Sequence, residues 1–125
     1  MSKPQVVVWY DRYCRVAVAL AALAGAAGLF LAAQPDWVAS SLGVAPLAAR
    51  VLSALWAGVM AFLGLVHVAA LMTPPSPWAW KIHAVVLGVG LTTILLWPAA
   101  LPLLFYWFRE DTRAYFHSPQ RAAAG

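Results

Sequence analysis

Charge is what this chain lacks most. Only 10% of its 125 residues are Asp, Glu, Lys or Arg, where soluble domains carry roughly 25%. The stretches Val16–Ala33, Val51–Met72 and Ile82–Phe108 contain none of the four. Apart from Asp36, no carboxylate occurs between Asp11 and Glu110. Proton- or cation-coupled transport normally holds an acid at membrane depth, where its charge can be exchanged. A small exporter of the usual kind is therefore not expected. A single cysteine, Cys14, excludes an intrachain disulfide and any cysteine-based metal cage. It reads as a small apolar filler rather than a reactive thiol. No serine–histidine–acid set, Gly-rich phosphate loop or metal-ligand cluster is present, so neither catalytic nor metal residues are assigned. No basic stripe exists for nucleic acid, and no period of 20–50 residues marks a repeat.

What the chain has instead is apolar length. Hydrophobic residues make up 64% of it, a content that would leave large sticky patches on a soluble domain. A hydrocarbon core about 30 Å thick takes ~20 apolar helical residues to cross. Only helices or closed barrels satisfy their own backbone there. The fold class expected is an all-α membrane protein, a small transmembrane helix bundle forming one domain over 1–125. The first apolar stretch is not read as a cleaved signal peptide: Asp11 interrupts its leading segment, and Leu31 stands where a small residue is wanted.

Breaks in the pattern give helices at about 11–33, 47–72, 78–97 and 98–108. Gln34-Pro35-Asp36 ends the first, and a short interfacial turn over 37–43 follows, closed by Gly43. Three prolines within Pro74–Pro77 end the second, since they cannot continue a helix. The loop is short, so the second and third helices are antiparallel neighbours. Trp97 lies 17 residues beyond Trp80, a rise of roughly 25 Å, which predicts one crossing with tryptophan at each rim. Trp37, Trp80, Trp97 and Trp107 are the expected aromatic-belt anchors, with Arg109 and Arg113 at phosphate level.

The segment Pro98–Phe108 leaves two topologies. As an extension of the third helix it makes an element about 40 Å long that must tilt or kink. Lys3, Arg12, Arg15 and Lys81 then oppose Arg50, Arg109, Arg113 and Arg121, four against four. If the chain instead turns back after Trp97, the split becomes seven against one. The positive-inside rule favours that second arrangement, with both termini cytoplasmic. Three spans plus a short, proline-started fourth helix is the topology expected.

Hydrophobicity does not drive helices together in lipid; close backbone approach does. Small residues recur four apart, and Gly25, Gly28, Gly58 and Gly88 are the candidates for packed faces. Each glycine costs about 1 kcal/mol of helix propensity relative to alanine. The ionisable residues within the apolar stretches are His67 and His83, near the two ends of the loop that joins their helices. Two imidazoles facing each other across a helix pair suit haem b ligation, although their depths match poorly. A contact to quinone is a further alternative, and interfacial histidines bonded to backbone or water are the simplest reading. Arg109–Phe116 reads as an interfacial turn with Tyr115 and Phe116 dipping back, ahead of a partner-docking motif.

His83, Gly90-Leu91-Thr92, Trp97-Pro98, Pro102-Leu103-Leu104, Trp107 and the closing Thr112-Arg113-Ala114-Tyr115-Phe116 give Trp78–Phe116 a recognisable pattern. This third of the chain resembles the C-terminal half of a group of small uncharacterised bacterial inner-membrane proteins. The resemblance implies a bacterial cytoplasmic membrane and no particular activity. The expected function is a non-enzymatic accessory, assembly or structural subunit without a cofactor. Its partners would be the bilayer and either itself or a larger membrane complex. A haem- or quinone-associated anchor subunit and a small permease are the alternatives.

Overall fold

The computed structural model describes residues 3–118, and among these every regular element is helical. The order is α1 Gln5–Ala33, α2 Pro35–Leu42, α3 Pro46–Met72 and α4 Pro77–Gly90. A 3-10 turn follows at Ile94–Leu96, then α5 Trp97–Trp107 and α6 Glu110–His117. Arg121, counted above among the charges, lies outside the described residues. Two helices, α1 and α3, are long and apolar enough to cross a membrane, and α4 with α5 would make a third if taken together.

Helix α1 starts at Gln5, not near Asp11. The Pro4 carbonyl accepts from the amides of Val7 (3.0 Å) and Val8 (3.3 Å), so the first turn forms immediately after the proline. The turns gained have a face to bury: Val7, Tyr10, Cys14, Ala17 and Ala21 are all buried. Their spacing alternates between three and four residues, which is one stripe of a helix.

Between α1 and α3 the expected turn is a helix of eight residues, Pro35–Leu42. Pro35 sits at its start, where a missing N–H costs nothing. Gly43 ends it in the left-handed region at φ 68°, a conformation that penalises any residue with a Cβ.

The third expected helix, 78–97, is not continuous. Ser76 caps the start of α4 by accepting from the Ala79 amide at 3.1 Å. The helix then ends at Gly90, seven residues short of Trp97. The amides of Thr92 and Thr93 bond three residues back, to Val89 (3.0 Å) and Gly90 (3.2 Å). Such bonds tighten a helix into its end, and Thr93 then turns extended (φ −112°, ψ 106°). The axes either side of this break differ by 117°. The end of α5 is thereby returned to the beginning of α4. Trp80 donates its indole N–H to the Trp107 carbonyl (3.2 Å), and Trp107 donates its own to the Trp80 carbonyl (3.1 Å). Residues 82–108 form a helical hairpin rather than one long tilted element.

Contacts group the chain into two compact units. The first uses residues up to Ala17 and from Val66 onward; the second is Val18–Leu65. The second holds the later part of α1, α2 and the earlier part of α3. There the chain packs through small side chains. A Cβ on Gly28 would stand 3.1 Å from the Ala57 amide nitrogen and 2.9 Å from a Trp56 ring carbon. Trp56 also donates its indole N–H to the Ala24 carbonyl at 3.2 Å. Val38 and Ala39 of α2 are buried with Ala49, beside Leu31.

Candidate functional site

The first unit is built on rings. Tyr10 and Trp107 are 1% and 0% exposed, and Tyr13, His67, His83, Tyr115 and Phe116 are all buried. Tyr10 from α1 stacks on His83 from α4, with centroids 4.8 Å apart and planes at 29°. Trp107 from α5 meets Tyr10 at 4.7 Å. Phe116 from α6 closes over both His83 (5.6 Å) and Trp107 (5.4 Å). Aromatic pairs at such separations contribute roughly 0.5–1.5 kcal/mol each beyond the area they bury. This cluster locks four helices to one another.

Glycine matters once in this unit. The Tyr13 hydroxyl lies directly against Gly90, and a Cβ there would collide with it. Gly90 is also where α4 stops. The break beyond it is closed by side chains: Thr92 donates its hydroxyl to the Val89 carbonyl at 2.7 Å. Trp97 donates its indole N–H to the Leu91 carbonyl. Carbonyls that would face a permeating ion in a broken helix are here engaged within the chain.

The two histidines do not face each other across a slot. They are linked through tyrosines: His83 to Tyr10 (4.8 Å), Tyr10 to Tyr13 (6.2 Å) and Tyr13 to His67 (5.8 Å). His83 Nε2 is 3.1 Å from the Ala70 carbonyl oxygen, so the ring donates there and Nε2 has no lone pair to offer a metal. Tyr10, Trp107 and Phe116 crowd the rest of the ring. Nothing in this arrangement sets the two imidazoles as facing ligands, and no haem chemistry is derived from them. Among the described residues no group of three or more His, Cys, Asp or Glu is placed to hold a metal ion.

The expected anchors and packing glycines fall in different environments. Trp37 is 62% exposed on α2. Trp107 is not a belt residue: it is fully buried, its N–H spent on a backbone carbonyl. Trp97 marks the break of the hairpin, not the far rim of a straight crossing. Trp80 is part-buried, with the Arg113 guanidinium 5.6 Å above its ring, and Arg109 lies 5.6 Å from the Tyr106 ring. Gly25 and Gly28 approach residues of α3, whereas Gly58 and Gly88 have no atom within 4 Å of where a Cβ would stand. Of the glycines not singled out by the small-residue spacing, Gly90 makes a close approach, to Tyr13, while a Cβ on Gly64 would make ordinary contact with Ala21.

Tyr10 and Tyr13 are core residues that the charge-free stretches and proline breaks do not nominate. The signal was there in the three-and-four spacing from Val7 to Ala21. Comparisons with protein-family models, with curated proteins and with solved structures give no match.

Proposed function

We propose that this chain is a membrane-embedded, non-enzymatic accessory or structural subunit of a bacterial cytoplasmic membrane. In this reading α1 and α3 cross the bilayer and α4–α5 enters and leaves on one side. The observation that carries it is the distribution of polarity. Buried positions include the polar His67, His83 and Thr112, while Leu23, Phe30, Phe62, Leu65, Ile94 and Phe105 are each 65–77% exposed. Water disfavours that surface at roughly 25 cal/mol per Å² of apolar area; lipid does not.

Charge supports an orientation. In the first unit Lys3, Arg12, Arg15, Lys81, Arg109 and Arg113 outnumber Asp11, Glu110 and Asp111, and Lys3 pairs with Asp11. The second unit carries one cation, Arg50, and one carboxylate, Asp36. The positive-inside rule therefore favours a cytoplasmic N-terminus. An accessory role is favoured over catalysis or transport because the buried polar groups are packed under rings and the broken helix is closed on itself.

Flotation of the full chain with lipid vesicles tests the embedding. Recovery in the floated fraction after carbonate washing is expected; recovery in the aqueous fraction would contradict it. Purification in mild detergent tests the role. A defined oligomer or stable complex is expected, and a lone monomer with enzymatic turnover would overturn the reading.

A further inference from the structure

The same turns of helix that hold the aromatic core carry cations on their outer side. Arg12 lies 5.1 Å from the Trp9 ring, flanking Tyr10. Lys81 lies 5.0 Å from Trp78, and Arg113 lies over Trp80. Arg109 over Tyr106 flanks Trp107. Tyr10, Trp80 and Trp107 are joined by ring contacts and reciprocal hydrogen bonds. The core thus fixes the level of the outer pairs, and the fold-back of α5 brings the last of them to the start of α1 and α4. A cation over an aromatic face within about 6 Å is attracted to it, which biases each charge toward its ring. Trp9, Trp78 and Tyr106 are themselves 51–72% exposed.

We propose that this rim is a seat for anionic phospholipid headgroups. Guanidinium and ammonium groups donate to phosphate oxygens. Tryptophan and tyrosine rings at the same level rest on the acyl-chain boundary, where their amphipathic bodies are favoured. That pairing of charge with exposed aromatic surface selects lipid over a soluble polyanion, which offers the rings nothing. The proposal rests on the membrane reading above and adds a headgroup preference to it.

The full chain in dodecyl maltoside, given an equimolar mixture of phosphatidylglycerol and phosphatidylcholine, tests this by native mass spectrometry. Wild type is expected to retain phosphatidylglycerol at least fivefold over phosphatidylcholine. Combined Arg12→Gln, Lys81→Gln and Arg113→Gln should bring that ratio near one, while Arg50→Gln should leave it unchanged. Circular dichroism on the triple variant checks that its helices persist; should they be lost, the three single variants, each expected to lower the ratio about twofold, replace it. Equal retention of both lipids by wild type overturns the proposal, as does a ratio unaffected by the neutralised rim. Displacement of the lipid by polyglutamate at matched charge concentration would assign the rim to acidic polypeptides and also overturn it. All three failures leave the vesicle-flotation result standing, so they are separable from failure of the membrane reading.

Discussion

The two units of this chain solve helix packing by opposite means. The first fills its interior with large rings, Tyr10, His83, Trp107 and Phe116, brought together from four helices. The second packs through small residues: a Cβ on Gly28 would crowd Trp56 and Ala57, while Gly25 and Gly64 lie at ordinary contact distance from Met60, Ala57 and Ala21. α1 and α3 contribute to both. Where partners approach from several directions, shape complementarity of large groups holds them. Where two helices run side by side, backbone proximity does, as expected when lipid removes the hydrophobic drive between helices. Loss of volume should therefore cost most among the rings of the first unit, and gain of volume where a Cβ has no room, at Gly28 in the second unit and at Gly90 in the first.

The largest effect should come from Trp107→Ala. It deletes a fully buried ring and leaves the Trp80 carbonyl without its donor. A loss of about 3–5 kcal/mol is expected from large-to-small core substitutions, read by reversible unfolding in mixed micelles. Gly90→Ala comes next, because its Cβ collides with the Tyr13 hydroxyl. Overpacking of this kind costs about 1–3 kcal/mol. Tyr13→Phe removes the colliding oxygen, and that oxygen has no hydrogen-bond partner within the described residues. The single Tyr13→Phe variant should thus stay near wild type, and the double variant should recover most of the loss. A double variant no better than Gly90→Ala would break the contact inferred.

Within the second unit, Gly28→Ala should destabilise by about 1–2 kcal/mol, since the crowding includes backbone. Gly58→Ala is the contrast. It has open space around it, so the added methyl should be neutral or stabilise by up to about 1 kcal/mol through helix propensity. Matched melts of the two variants sharpen the comparison. Equal destabilisation by both would show that glycine count, and not close approach, governs this unit.

Much of the helical framework was legible in the sequence, because charge-free length and proline breaks act locally. Pro35, the prolines after Met72 and Gly43 punctuate the chain where the elements end. The break after Gly90 was not legible as a bend. Thr92 and Thr93 are compatible with a continuing helix, and Pro98 marks the start of α5, not the end of α4. What turns the chain is tertiary: Tyr13 occupies the space beside Gly90, and Trp80 and Trp107 exchange hydrogen bonds across 27 residues. Charge counting pointed to the fold-back because it sums over distant residues. Spacing of tryptophans pointed to a straight crossing because it assumed an unbroken helix. The histidine pair shows the same limit. Their placement near one loop suggested facing imidazoles, whereas the ring sequence runs through Tyr10 and Tyr13. The small-residue pattern found Gly25 and Gly28 but equally nominated Gly58 and Gly88, since spacing alone does not say which face of a helix meets a neighbour.

The return of α5 to the start of α4 and α1 is the claim on which the proposed topology and the cationic rim both depend. Single cysteines at Lys3, Val44 and Arg109, in a Cys14→Ala background, report it through a membrane-impermeant maleimide applied to sealed vesicles of known orientation. Lys3→Cys and Arg109→Cys should be labelled from the same side, and Val44→Cys from the opposite one. Labelling of Arg109→Cys together with Val44→Cys, away from Lys3→Cys, would contradict the account.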